Sequence, residues 1–415
     1  MTTLLAIGDI HLGRLPAALP DELKNRQREL GPETAWMRSV TEAVDRKVDA
    51  VLLAGDVVER SRDFFVAYGQ LKAGVEKLAA AGIPVIAVAG NHDTHVLPRL
   101  AAEIDSLHLL GEGGYWQQHT VNGCIVIGWS FPQAQVRHNP LDSFPKLSPR
   151  KPLIGLLHCD RDQSDSPYAP VSSADLEEAP VAAWLLGHIH QPDALDGSRP
   201  MGYLGSVSAL RASETGSRGP WLVEVSRKSV SAEQLTLAPL RYEMLEIDCS
   251  ELDSAGDLGG LILAACRRAL GTMERHPDAL GLRVVLTGQC AISGHLPAAA
   301  ESLLSEARPW QETGVQCFIH RISVHTLPRL DLDSLARQSD PCGLLAQRLL
   351  ALKTPASPEW QRLVDMGRAS LQAIADAREF RELDRKLSDD DIAERLESAA
   401  QLTLSKLISQ REKAG

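Results

Sequence analysis

Apolar residues in the first half of the chain come in short unbroken runs rather than in alternation. Leu4–Ile7, Val51–Ala54, Pro84–Ala89, Pro152–Leu157 and Val181–Leu186 all have this form. A strand buried on both faces of a parallel sheet reads this way, because neither face meets water. Between the runs the spacing turns helical. One helix is predicted over 33–47, with Ala35, Val40, Ala43 and Val44 on its buried face, and another over about 66–81, closed by Gly82. Run, helix, run is the pattern of βαβ units, so the predicted fold class is α/β. Residues 111–150 read as β-rich and loopy, with Cys124–Gly128 as the clearest strand. Gly, Pro and Ser are frequent over 163–173, which predicts an exposed loop. Tyr203–Ser206 and Trp221–Val225 are expected to complete a second sheet.

The pattern changes after about Arg241. Tyr242–Cys249, Leu282–Leu286 and Cys317–His325 alternate, while 258–274 and 297–307 have helical spacing. The order β-α-β-α-β predicts a compact second domain. Beyond Pro328 the chain is helical and strongly charged. There Ile392, Leu396, Ala400, Leu404, Leu407 and Ile408 form a stripe that either packs on the protein itself or receives a partner. Three segments are therefore expected: 1–240, 241–328 and 329–415.

Composition narrows the classes. Over 415 residues, 44% hydrophobic and 23% charged content are ordinary for a globular chain with two or three domains. A formal net charge of -11 offers no global attraction to nucleic acid, so any DNA binding needs a local basic groove or a partner protein. The seven cysteines are scattered and never paired as CxxC, which favours reduced thiols over a zinc site or a disulfide framework. The sequence enters a strand-like run at once, without a basic leader, and no apolar run approaches a membrane span. A soluble, cytoplasmic protein is expected.

The chemistry lies where the apolar runs stop. Five of them end in metal-binding residue types: Asp9 with His11, Asp56, Asn91 with His92, His158, and His188 with His190. Residues just past the carboxyl ends of parallel strands are where open α/β sheets place their active sites. Asp9-Ile10-His11 and His188-Ile189-His190 alternate, so each pair can send two side chains the same way. A single Gly-Asp stop is a common turn; five such stops with four histidines among the donors are not explained as turns. Carboxylate, carboxamide and imidazole together suit manganese, iron or zinc better than calcium or magnesium. Seven donors exceed one tetrahedral site and so point to two ions, for which a carboxylate such as that of Asp56 is the natural bridge. Paired ions about 3.5–4 Å apart clamp a phosphoryl group and acidify a bound water, which fits phosphate-ester hydrolysis.

GDIHLG (8–13), GDVVE (55–59), GNHD (90–93), LLHC (156–159) and GHIH (187–190) resemble the five ordered motifs of the calcineurin-like metallophosphoesterases. GDIHLG, the stretch 158–176 with Tyr168-Ala169-Pro170, and Tyr203-Leu204-Gly205-Ser206 resemble the SbcD and YhaO type of DNA repair exonuclease. The resemblance implies a four-layer α-β-β-α sandwich, followed by a smaller α+β capping domain and a C-terminal helical segment. It implies one ion on Asp9, His11, Asp56 and His190, and another on Asp56, Asn91, His158 and His188, with manganese as the expected metal. His92 matches the histidine that meets the scissile phosphate and assists the leaving oxygen, and Asp93 is expected to orient it. Glu59 stands where archaeal and eukaryotic relatives carry a histidine; an acidic residue there is usual in the bacterial branch.

Function by resemblance is DNA hydrolysis in double-strand break repair or end processing. The partners implied are DNA, a second copy of the chain, and an SMC-like coiled-coil ATPase docked on the C-terminal helices near Asp340-Pro341-x-Gly343-Leu344-Leu345. Arg14, Arg60, Arg62, Arg161 and Arg211 lie near motif loops and are candidates for phosphate contacts. Two rival readings are a phosphodiesterase or phosphatase for a small molecule or protein, and a non-catalytic DNA-end scaffold.

Overall fold

The structure is a computed structural model that describes residues 1–375 and 387–414. The five continuous runs become strands, and the motif-bearing part of the chain is built on two sheets. The first sheet contains β1 (Thr2–Ile7), β2 (Ala50–Ala54), β3 (Val85–Val88) and β4 (Leu107–Leu109) in parallel order, joined through α1 (Pro32–Arg46), α2 (Phe64–Ala80) and α3 (Leu97–Glu103). The second contains β5 (Gln117–Val121), β6 (Cys124–Trp129), β7 (Leu153–His158), β8 (Ala183–Gly187) and β9 (Met201–Tyr203), in that order, with α4 (Ser173–Glu178) between β7 and β8.

The period-2 geometry of a strand explains why the runs are continuous. Leu5, Ile7, Val51, Leu53, Val85 and Ala87 face α1 to α3. Their neighbours Leu4, Ala6, Leu52, Ala54, Ile86 and Val88 face the other way, onto Val126, Ile154, Leu156, Ala183 and Leu185 of the second sheet. The outer face of that sheet packs Ile127, Trp129, Leu157 and Trp184 with Leu176 of α4. Helices, sheet, sheet and helix with loops form the four-layer sandwich.

One strand goes elsewhere than expected. β10 (Trp221–Val225) does not join the second sheet; it pairs antiparallel with β1, Thr2 opposite Val225, and carries β11 (Val230–Gln234) at the edge of the first sheet. A continuous apolar run states that both faces are covered, but not by which sheet.

Further along the chain come β12 (Leu240–Asp248), α5 (Leu258–Gly271), β13 (Ala279–Thr287), β14 (Gln289–Cys290), α6 (Leu296–Glu306), β15 (Trp310–Glu312), β16 (Val315–Val324) and β17 (Leu327–Pro328). Four of the strands make a sheet in the order β12-β13-β16-β15. The last helices are α7 (Leu332–Leu335), α8 (Pro341–Leu352), α9 (Pro358–Ala375) and α10 (Asp389–Ala414). The chain divides into two compact units, Met1–Leu245 with Ala265–Arg283 and Glu306–Arg321, and Glu246–Ala264 with Val284–Ser305 and Ile322–Gly415.

The stripe on α10 is occupied within its own unit. Leu404 is fully buried against Ala346 and Leu349 of α8, with Ala400, Leu407 and Ile408 alongside. Ile392 and Leu396 pack on Trp360 and Val364 of α9. Of the two uses foreseen for this face, packing on the protein itself is the one observed. All seven cysteines are buried free thiols. Among the described residues, no helix is long and apolar enough to cross a membrane.

Candidate metal centre

The sandwich brings the five motif stops together. In the first sheet Ile7 pairs with Leu53, and Ala54 with Val88, so β1, β2 and β3 end side by side and deliver Asp9, Asp56 and Asn91 to one edge. In the second sheet His158 pairs with Gly187, which sets His158 next to His188 and His190. Several of these turns are strained. Asp9 (φ 42°), His11 (φ 55°), Asp56 (φ 47°) and His188 (φ 106°) all sit in the left-handed region, a state costing about 1–3 kcal/mol per residue and concentrated at functional sites. The motif glycines allow the close approach. A Cβ on Gly90 would lie 2.2 Å from Asp56 Oδ1, and one on Gly187 would lie 2.0 Å from the Ala54 carbonyl oxygen.

The donors gather into two main groups, Asp9 with His11 and His190, and Asp56 with His158 and His188. A third grouping, His11 with Glu59 and His92, lies on the other side of His11. Asn91 Oδ1 adds to the second group, 3.0 Å from His158 Nε2 and 3.1 Å from His188 Nδ1. Asp56 Oδ2 lies 3.4 Å from His158 Nε2 and 3.9 Å from His11 Nε2, between the two main groups.

Each imidazole is anchored through its far nitrogen. His158 Nδ1 donates to the Ala54 carbonyl at 3.0 Å, and His190 Nδ1 donates to Glu214 Oε1 at 2.8 Å. His188 Nε2 pairs with Asp160 Oδ1 at 3.2 Å. Glu59 Oε2 lies 2.9 Å from His11 Nδ1, as an ion-pair contact rather than an aligned hydrogen bond. In a neutral ring, anchoring one nitrogen as a donor leaves the other with a bare lone pair, and these second nitrogens face one another. His11 Nε2 and His190 Nε2 are 3.1 Å apart; His188 Nδ1 and His158 Nε2 are 3.2 Å apart. Acceptors brought this close repel unless a cation lies among them, and an outer acceptor on the second ring nitrogen is the usual partner of a metal-binding histidine. The donor set therefore fits two divalent ions.

The charges point the same way. Asp9 is fully buried and Asp56 only 2% exposed, yet among the described residues no lysine or arginine pairs with either. Burial and the charge of nearby Asp56 raise the Asp9 carboxyl above its usual range, against the pull of His158 and His190. Asp56 also pays the cost of burial, but His158, His11 and His92 together hold it below the usual range. Burial and the neighbouring His158 push His188 down to about 4, so its ring stays neutral and able to bind a metal. Against its own burial, Glu59 is brought down to about 2 by His11 and Arg14.

His92 stands at the rim. Its side chain is 40% exposed, its Nδ1 donates to the Glu59 carbonyl at 3.0 Å, and its Nε2 lies 4.0 Å from Asp56 Oδ2. The hydrogen bonds of Asp93, expected to orient His92, go to backbone N–H groups. Asp93 is buried and accepts from the backbone N–H of Val57 (2.7 Å), Val58 (3.3 Å) and Gly90 (2.8 Å), so it ties the β2 turn to the β3 turn. Burial and the charge on Asp56 raise it to about 7. The Glu59 carbonyl is the group that meets the His92 ring. Three of the candidate arginines have protein partners. Arg14 and Arg60 pair with Glu59, and Arg161 pairs with Asp193 at 2.9 Å and lies over the Tyr203 ring. Tyr168, from the loop after His158, sets its ring 5.0 Å from that of His188.

Asp160 and Glu214 escaped sequence reasoning. Asp160 lies two residues past His158, at a strand exit, and that position was its one available signal. Glu214 follows His190 by 24 residues and belongs to no motif.

Fold and site together define a metallophosphoesterase. Residues 2–192 match the calcineurin-like phosphoesterases, and residues 242–327 match the family described as metallophosphoesterase YhaO, middle domain. The chain carries a calcineurin-like metallophosphoesterase domain followed by a middle domain of the YhaO kind. It is 28% identical over 263 residues to the uncharacterized metallophosphoesterase YhaO of Bacillus subtilis, covering 60% of this chain and 64% of that protein. It is 30% identical over 272 residues to the DNA double-strand break repair protein Mre11 of Haloferax volcanii, covering 62% of this chain and 56% of that one. To Mre11 of Aeropyrum pernix it is 26% identical, covering 65% and 68%. The chain thus spans less than two thirds of the length of the first two relatives. Among solved structures, TT1561 of Thermus thermophilus and a dimetal phosphatase from Danio rerio each align with a TM-score of 0.35 and 13% identity, over 56% of this chain and 98% of theirs.

Proposed function

We propose that the chain is a two-metal phosphodiesterase that hydrolyses DNA in strand-break repair or end processing, with manganese as its preferred metal and an SMC-like ATPase as its partner. The observation that carries the hydrolytic part is the position of Asp56 Oδ2, between His158 Nε2 and His11 Nε2 and so shared by the two donor groups. One group, Asp9, His11, Asp56 and His190, would hold one ion; Asp56, Asn91, His158 and His188 would hold the other. When bound, such a pair neutralises phosphoryl oxygens and supplies an acidified water.

The remaining roles belong to the chain. His92 is the group left to handle a proton, because the Glu59 carbonyl fixes its Nδ1–H and leaves Nε2 uncommitted, 4.0 Å from Asp56 Oδ2. In the doubly protonated state that Nε2–H can be given to a departing sugar oxygen. Asp93 keeps the β2 and β3 turns together, and with them the spacing of Asp56 and Asn91.

DNA as substrate is supported by the kinship with the two Mre11 proteins. Its grip would come largely from the ATPase, since this chain has a net charge of -11. A soluble cytoplasmic enzyme acting as a homodimer fits that role, with 1–240 as the nuclease part, 241–328 as the cap and 329–415 as the docking part. The small-molecule reading draws on one observation. At the rim, Arg14 and Arg60 are both paired with Glu59, which leaves little free positive charge for a DNA backbone.

The deciding assay offers linear duplex DNA, single-stranded DNA and bis-p-nitrophenyl phosphate to the purified protein with manganese. Loss of DNA that disappears in Asp56→Asn supports the proposal. Turnover of the small diester with every nucleic acid left intact, even with the ATPase present, would overturn it.

A further inference from the structure

We infer that Glu214 is a positioning residue for His190, and that a buried strut of Glu214, Ser206 and Arg218 makes the Asp9–His11–His190 side of the site competent to bind its ion. This rests on the two-metal reading above and assigns a role to a segment outside all five motifs.

The strut reaches His190 from two directions. Glu214 Oε1 accepts from the ring Nδ1 at 2.8 Å. Arg218 donates through Nη1 to the His190 carbonyl oxygen. Ser206 joins the two, giving its hydroxyl to Glu214 Oε2 at 3.3 Å and accepting from Arg218 Nη1 at 3.3 Å. The Leu210 N–H, at 2.8 Å, satisfies Glu214 Oε2 further, and the Ser206 N–H binds the His190 carbonyl at 3.0 Å. Arg218 Nη2 is held by Gln191 Oε1 at 2.8 Å and the Thr215 carbonyl at 3.3 Å.

The location is costly. Arg218 is 1% exposed, Ser206 fully buried and Glu214 8% exposed. Two opposite charges in the interior lose their hydration, and a pair of that kind is often no better for stability than apolar residues of equal volume. A structural explanation also leaves the direction of the contacts unexplained, since the Glu214 and Arg218 side chains both end on one histidine, with the Ser206 hydroxyl joining them.

The consequence for the site is a fixed tautomer. A carboxylate only accepts, so the Nδ1 facing Glu214 must carry the proton, and in the neutral ring Nε2 then presents its lone pair. That lone pair is the atom 3.1 Å from His11 Nε2. Without Glu214 the neutral ring can exchange tautomers or rotate, and the first donor group loses one of its nitrogens. The second donor group has its own support, the Ala54 carbonyl behind His158 and Asp160 behind His188. The effect of Glu214 is accordingly one-sided.

Two readouts on Glu214→Gln and Glu214→Ala decide the inference. The first is the nitrogen chemical shifts of the His190 ring in metal-free protein with ¹⁵N-labelled histidine. The wild type is expected to show the Nδ1–H tautomer and Glu214→Ala a mixture. The second is manganese stoichiometry by equilibrium titration. The expectation is two equivalents for the wild type, and for both variants one equivalent retained and the other weakened about 10–100-fold. Asp160→Asn should instead weaken the opposite ion. An unchanged His190 tautomer in Glu214→Ala overturns the inference, as does equal weakening of both ions. A wild type that binds no manganese would refute the two-metal reading, and the tautomer would still judge the strut.

Discussion

At the residue scale, the site assigns different consequences to side chains that look alike in sequence. His92 meets the main donor groups through its backbone N–H, which donates to Asp56 Oδ1 at 3.0 Å, while its ring comes no nearer to Asp56 Oδ2 than 4.0 Å. His92→Ala keeps that N–H, so it should keep two equivalents of metal while the turnover number falls about 10²–10⁴-fold, the usual contribution of a general acid. Single-turnover hydrolysis alongside metal titration checks this, and loss of metal in His92→Ala would make it a ligand instead. Gly90 is the converse case, a residue without chemistry on which the chemistry depends. Its Cβ would sit 2.2 Å from Asp56 Oδ1 and 2.7 Å from the Asp56 nitrogen. Gly90→Ala is therefore expected to displace Asp56, lowering metal stoichiometry below two and lowering the melting temperature. The candidate ligands were legible in sequence because each directly follows a buried run, where the end of a strand fixes the position of a side chain. Asp160 and Glu214 were not, because support of a ligand's far nitrogen is a relation across the sandwich that no spacing encodes. The contacts of Asp93 were hidden for a related reason: adjacent to His92 in sequence, its carboxylate binds the backbone of the β2 turn.

At the scale of elements, continuous apolar runs foretold the strands of both sheets, and their alternating faces account for the two cores. What such a run omits is its neighbour. β10 satisfies the same pattern by pairing with β1 as it would have in the second sheet, so its place followed only from the structure. The α10 stripe was ambiguous in the same way, since an apolar face reads alike whether its cover is internal or foreign. Leu404 is fully buried against α8. Leu404→Ala should cost about 2–5 kcal/mol, as large-to-small changes in cores do. Chemical denaturation followed by tryptophan fluorescence measures it. A loss below about 1 kcal/mol would mean that α10 is loosely held and its apolar face accessible to a partner.

At the scale of the whole molecule, function depends on bringing two sheets together at one edge. Neither sheet holds a complete set of donors: Asp9, His11, Asp56 and Asn91 leave the first, and His158, His188 and His190 leave the second. Bound ions would thus fasten the sandwich as well as serve catalysis. Ligand binding to the folded state alone stabilises it by about 2.7 kcal/mol at a hundredfold excess over the dissociation constant. Removing metal with a chelator should accordingly lower the melting temperature, and manganese should restore it; a melting temperature indifferent to metal would contradict that coupling.

The central claim is that Asp56 is shared by two ions. Electron paramagnetic resonance of the manganese-loaded protein tests it most directly. Two ions joined by one carboxylate should give a spin-coupled signal at two equivalents, and Asp56→Asn should reduce it to uncoupled manganese at one equivalent or fewer. A wild-type protein that saturates with a single isolated manganese, or that keeps its coupled signal in Asp56→Asn, would contradict the account.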